Sequence, residues 1–125
     1  MRVLVIDDSR TMRAILGKML KELGFEVLEA GDGREGLERL QKDGRPNLVL
    51  VDWNLPTMNG LEFIRAVRSR REYDGLPLLM VTTETERSQV AKALEAGATE
   101  YVMKPFTRDI LLDKLNLLGI SPPPA

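Results

Sequence analysis

The chain has 125 residues, 43% apolar and 30% charged, with a formal net charge of -1. That is the size and balance of one domain with a core of its own. The charge offers no general attraction to nucleic acid or to an anionic membrane, so neither is an expected partner. With no cysteine and no histidine, disulfides, thiolate or zinc sites and histidine-based catalysis are excluded, and a reducing cytoplasm is the expected location.

The first seven residues carry too short an apolar run for a signal peptide or a membrane span. Val3 to Ile6 instead reads as a strand buried on both faces. Asp7-Asp8-Ser9 look like a helix start, and Met12, Ile15, Leu16, Met19, Leu20 and Leu23 give that helix an apolar face before Gly24 closes it. Phe25 to Ala30 is a weaker second strand. Asp32-Gly33 is a turn, and Gly36, Leu37 and Leu40 mark a helix ending near Gly44. Leu48 to Val51 is the third strand, and Leu61, Ile64 and Val67 carry the third helix. Leu78 to Val81 is the fourth strand, followed by a helix over Val90, Ala91, Ala93 and Leu94 that ends at Gly97. Thr99 to Met103 is the fifth strand. Thr107 can cap a last helix, with Leu111, Leu115 and Leu118 inward and Gly119 closing it. The expected organisation is one domain over 1–119 and a proline-rich flexible tail over 120–125. Five strand–helix units imply an α/β fold with a doubly wound parallel sheet and helices on both faces.

Polar residues gather where the strands end. Asp7-Asp8 follow the first strand, Asp52 the third, Thr82-Thr83 the fourth and Lys104-Pro105 the fifth. In an open parallel sheet these ends share one edge, where ligands bind. Two carboxylates about 5 Å apart repel by roughly 3 kcal/mol at an effective dielectric near 20, and one lysine cannot neutralise three of them. A divalent cation can, and with only oxygen ligands on offer Mg²⁺ is the best match. An aspartate beside such a cation and a lysine is placed to attack a phosphoryl group.

Each residue alone has an ordinary explanation. Asp8 or Ser9 caps a helix about half the time in such a place. Asp52 alone is a turn residue, Thr82 a strand-end hydroxyl, Lys104 a solvated lysine and Tyr101 a sheet-edge aromatic. The methionines at helical spacing are core. It is the joint pattern, four strands delivering matching groups to one edge, that outweighs these readings.

Four segments then carry a resemblance: Ile6-Asp7-Asp8-Ser9, Val51-Asp52-Trp53-Asn54-Leu55-Pro56, Met80-Val81-Thr82 and Val102-Met103-Lys104-Pro105-Phe106. Over about residues 2–119 the chain resembles the receiver domain of two-component response regulators, and within that family the single-domain chemotaxis (CheY-like) branch. The resemblance implies the flavodoxin-like strand order 2-1-3-4-5. It implies that Asp52 is the phosphoacceptor. It implies Mg²⁺ held by Asp8, Asp52 and the backbone carbonyl of Asn54, with Asp7 reaching it through water. Lys104 would contact the phosphoryl oxygens, and the Lys104-Pro105 bond would be cis. The Thr82 hydroxyl would swing toward the phosphoryl group and Tyr101 would turn inward behind it. Output would pass through the surface over the fourth helix, fifth strand and fifth helix. Asn54 and Glu84 match positions that accompany fast self-dephosphorylation. Thr83 departs from the usual Ala or Gly, and its bulk is expected to slow both transfer and hydrolysis.

The expected function is a stand-alone receiver that takes phosphate from a CheA-like histidine kinase onto Asp52 and signals by protein binding. The expected target is a flagellar switch component or a phosphotransfer protein. It is a signalling protein, with self-phosphorylation and self-dephosphorylation as its only chemistry, and is expected to be a monomer. Gly119 leaves six residues, too few for a DNA-binding domain. A phosphorelay intermediate is the rival within the class. A Mg²⁺-dependent aspartyl-phosphate hydrolase is the rival outside it, and Asn54 opposes it by standing where such enzymes place a second acid.

Overall fold

Five short runs of branched apolar residues pair side by side because each needs cover on both faces. In the computed structural model, which describes residues 1–121 apart from the side chains of Glu84 and Thr85, they form one parallel sheet. Its strands are β1 (Arg2–Ile6), β2 (Glu26–Ala30), β3 (Leu48–Asp52), β4 (Leu78–Thr83) and β5 (Glu100–Lys104), in the order 2-1-3-4-5. Between and after them run α1 (Arg10–Glu22), α2 (Gly33–Asp43), α3 (Gly60–Arg68), α4 (Val90–Ala96) and α5 (Arg108–Leu117). This is the flavodoxin-like arrangement that the resemblance implied. β3, central in the sheet, is buried at every position, whereas the edge strands β2 and β5 are each fully buried at only one position. That edge position is why the second strand reads weakly in sequence.

Alternation along the strands divides the core in two. Leu4, Ile6, Val49, Val51, Leu78 and Met80 meet Leu40 of α2, Phe63, Ile64 and Val67 of α3, and Ala93 of α4. Val3, Val5, Leu48, Leu50, Leu79, Val81 and Val102 meet Leu16 and Leu20 of α1 and Leu111 and Leu115 of α5. Each such side chain contributes about 1.5–3 kcal/mol by leaving water.

Side-chain caps set four helix starts. The Ser9 hydroxyl accepts from the Met12 N–H, Asp32 from Glu35, Asn59 from Glu62 and Thr107 from Ile110. Asn59 and Glu62 close a reciprocal capping box. Because Ser9 does the capping, Asp8 is free of that duty. α4 has no side-chain cap and is reached through a 3-10 segment, Glu84–Gln89. Its far end is pinned by Arg68. That guanidinium donates to the carbonyls of Gly97 (2.9 Å), Tyr73 (3.0 Å) and Leu76 (2.7 Å) and to Thr99 Oγ1 (3.3 Å).

Several sequence expectations shift. Asp52, Thr82, Thr83 and Lys104 are the last residues of their strands rather than the first of the loops. Ile15 is 52% exposed, and Met12 and Met19 are half-buried, so the outer edge of α1's apolar stripe faces water. Leu94 and Ala91 are exposed on α4. Ile120, assigned to the tail, is buried, and its N–H donates to the Leu115 carbonyl (2.9 Å). The rest of the expected tail, from Pro122, lies outside the described residues.

Candidate functional site

The carboxyl edge of the sheet collects the acids. Asp7 directly follows β1, and Asp52 and Lys104 end β3 and β5. Counted along their strands, all three share the face of Val5, Leu50 and Val102, the side covered by α1 and α5. Asp7 is 2% exposed and Asp52 6%. Lys104 Nζ bridges them, 3.2 Å from Asp52 Oδ2 and 3.4 Å from Asp7 Oδ2. Asp8 is exposed, yet oxygens of Asp7, Asp8 and Asp52 all lie within 4.8 Å of one another.

The backbone fixes this cluster. Asp7 Oδ1 accepts from the Ser9 N–H (2.9 Å), and the Asp7 carbonyl accepts from Arg13 Nη1 (2.5 Å). Arg13 in turn pairs with Glu29. Asp52 Oδ1 has a longer contact, from the Asn54 N–H (3.4 Å). Gly60 must be glycine here: a Cβ would sit 2.5 Å from the Asp52 carbonyl oxygen and 2.9 Å from Trp53 Cα. The loop between also holds Thr57 at φ 64°, with the Met58 N–H reaching back to the Pro56 carbonyl across it (2.6 Å). A β-branched residue in that region is strained. The Lys104–Pro105 bond is cis.

Three carboxylates and one ammonium leave a charge of about -2. Burial raises the Asp52 pKa from 3.8 to about 6, against the pull of Lys104 and with the help of Asp7. Burial alone would lower Lys104, but Asp52 and Asp7 outweigh it and the net shift is upward. A buried acid that resists ionisation beside two further carboxylates is short of positive charge. Only oxygen donors converge there, so the set fits a hard divalent cation such as Mg²⁺. A surface concavity lies elsewhere, along α1 and β2 at Gly17, Lys18, Lys21 and Glu29.

Thr82 and Tyr101 lie on the opposite face, toward α4. Met80 pairs with Tyr101 and Thr82 with Met103, so Thr82 and Tyr101 are diagonal neighbours. Thr82 is fully buried. Its hydroxyl has two distant acceptors, the Thr83 carbonyl (3.4 Å) and Glu86 Oε2 (3.5 Å), and it makes no bond to Asp52. Both contacts are longer than a strong hydroxyl bond, so the proton is held weakly. Tyr101 is half-buried, and Lys114 Nζ stands 4.4 Å from its ring centroid. The Asn54 side chain is exposed, and that of Glu84 lies outside the described residues.

The structure therefore brings together Asp7, Asp8, Asp52 and Lys104, and sets Thr82 and Tyr101 behind them. Sequence reasoning gave no part in the site to Arg13, Gly60, Lys114 or Glu100. Arg13 had one faint signal, a cation one turn inside a helix that follows an aspartate pair. The others act through contacts that only the fold creates.

Comparison with known proteins agrees with this geometry. The family profile described as the response regulator receiver domain matches residues 3–116, and the chain belongs to that family. It is similar to a Campylobacter jejuni protein described as a chemotaxis protein CheY homolog, 45% identical over 121 residues, covering 95% of this chain and 93% of the relative. It is also similar to chemotaxis protein CheY1 of Helicobacter pylori, 43% identical and covering 94% and 96% of the two chains. Among solved structures, the chemotaxis response regulator CheY4 of Vibrio cholerae matches with a TM-score of 0.86 at 39% identity, over 94% of this chain and 97% of that one. No helix among the described residues is long and apolar enough to cross a membrane.

Proposed function

We propose that this receiver accepts a phosphoryl group on Asp52 from a histidine kinase of the CheA type and signals by phosphorylation-dependent protein binding in chemotaxis. The observation that carries the reading is the Lys104 bridge between Asp7 and Asp52 at the edge where Asp8 completes a set of three carboxylates. The similarity to chemotaxis proteins at 43–45% identity supports the pathway.

Asp52 is the nucleophile in this reading. Its buried position strips water from the carboxylate, and the neighbouring ammonium keeps it from being a mere acid. Lys104 moves from the Asp52 carboxylate to the oxygens of the incoming phosphoryl group, carrying positive charge to where charge spreads. Asp8, Asp52 and the Asn54 carbonyl would hold Mg²⁺, with Asp7 acting through water and through its grip on Lys104. When bound, the cation supplies Lewis-acid neutralisation of the phosphoryl oxygens. Thr82 then offers its hydroxyl to a phosphoryl oxygen, a charge-assisted partner stronger than either acceptor it has now. Tyr101 turns into the space released. A flagellar switch component is the proposed target, with the protein cytoplasmic and monomeric. Thr83, at the rim, slows transfer and hydrolysis together.

Transfer from a phosphorylated kinase tests the reading. Label on the histidine of a CheA-type kinase should move to this chain within minutes when Mg²⁺ is present, and should stay on the kinase when Mg²⁺ is chelated. Loss of label only as inorganic phosphate, with none ever held on the chain, would favour the hydrolase. Transfer that proceeds equally in chelator would remove the cation from the account.

A further inference from the structure

At the open edge of the sheet, Tyr101 meets two charged groups from the opposite face that no reading so far uses. Lys114, on α5, reaches across the open edge of the sheet to place Nζ 4.4 Å from the Tyr101 ring centroid. The same Nζ is 3.4 Å from Glu100 Oε1. That carboxylate oxygen also accepts from the Tyr101 N–H (3.0 Å). Glu100 thus fixes both the backbone of Tyr101 and the cation over its ring. Glu100 and Lys114 are each only about a quarter exposed at the side chain, so the pair is more confined than an ordinary surface ion pair, which contributes little.

We propose that Lys114, aligned by Glu100, is a positioning residue that latches Tyr101 in its half-exposed place and so sets the threshold for switching. The inference rests on the reading of Asp52 as phosphoacceptor and Tyr101 as its reporter. A cation over an aromatic face is attractive only while the ring stays under it. When the ring turns inward the contact is lost, so Lys114 favours the unphosphorylated arrangement alone. By linkage, whatever opposes the inward ring also opposes the phosphoryl group that drives it inward, by the same factor. Lys114 therefore lowers the affinity of the Asp52 site for a phosphoryl group without touching that site. Glu100 amplifies the effect by holding the ammonium in register.

The test uses beryllofluoride with Mg²⁺ as the phosphoryl mimic. Its affinity is read from Trp53 fluorescence, and the Tyr101 ring is followed by NMR of ¹³C-labelled tyrosine. Of the two tyrosines, Tyr101→Phe identifies the signal. Lys114→Met keeps the stem and removes the charge. It should bind the mimic about two- to fivefold more tightly than wild type, and its mimic-free Tyr101 signal should lie part-way to the bound position. Lys114→Arg, which restores a cation over the ring, should behave as wild type, and Glu100→Gln should fall between. A residue of merely structural importance would lower the melting temperature and weaken mimic binding. Mimic affinity in Lys114→Met equal to or weaker than wild type overturns the latch and leaves the phosphoacceptor reading standing. A wild-type protein that binds no mimic overturns both.

Discussion

Asp52 carries a charge that its surroundings resist, and the resistance has a sign that can be measured. Its pKa is raised to about 6, chiefly by burial. Between about pH 4 and 6 the folded state therefore holds a proton that the unfolded chain has released. Unfolding free energy falls as pH rises through that window, by no more than about 3 kcal/mol from this group. Lys104 acts in the opposite range: its raised pKa gives stability that is complete at neutral pH and is lost only above about 10.5. In chelator, Trp53 fluorescence beside Asp52 should titrate near pH 6. The step should vanish in Asp52→Asn, and that variant should be the more stable protein at pH 7. In Lys104→Met the midpoint should move upward, because a lowering influence is gone. An unchanged midpoint in Lys104→Met would contradict the ion-pair geometry. The residues of this cluster were legible in sequence because charge at the end of an apolar strand is costly and therefore conspicuous. The role of Arg13 was far fainter, since its hold on the cluster is through the Asp7 backbone carbonyl.

At the scale of elements, the start of α3 is what aims Asp52. Asn59 and Glu62 cap the helix reciprocally, and Gly60 lets its first turn pass against the Asp52 carbonyl. Gly60→Ala should cost about 1–3 kcal/mol by overpacking against rigid backbone. It should also slow phosphoryl uptake more than its loss of stability explains, because the atoms displaced belong to Asp52 and Trp53. Urea midpoints together with uptake rates measure both; full uptake in a destabilised Gly60→Ala would show that α3 does not aim the carboxylate. The strands were readable because buried parallel strands are continuous apolar runs. Glycine and cap residues marked most helix ends. The 3-10 segments at Arg71–Tyr73 and Glu84–Gln89 were not foreseen, having neither apolar periodicity nor punctuation. Ile15 was assigned inward from spacing alone, and only the placement of α1 against the sheet reveals that its outer edge has no cover.

For the whole molecule, the acidic cluster and the proposed Thr82–Tyr101 switch fall on opposite faces of one sheet. Asp7, Asp52 and Lys104 face α1 and α5, while Thr82 and Tyr101 face α4. In the proposed function the signal crosses from Asp52 through β4 and β5, and Thr82 is the hydroxyl proposed to carry it. The neighbouring α4 is short, has no side-chain cap at its start and is held by Arg68 at Gly97 just past its end. Thr82→Ala should still take up phosphate, since the nucleophile, cation ligands and Lys104 remain. It should lose most of the mimic-dependent gain in partner affinity. The same factor in wild type and variant would return Thr82 to a plain strand-end hydroxyl. All of this depends on Asp52, and the most direct measurement is to map the phosphoryl group. After incubation with acetyl phosphate and Mg²⁺, peptide mass analysis should find one phosphoryl group, on Asp52, and Asp52→Asn should take up none. Full labelling of Asp52→Asn, or a label on any other residue of the wild-type chain, would contradict the account.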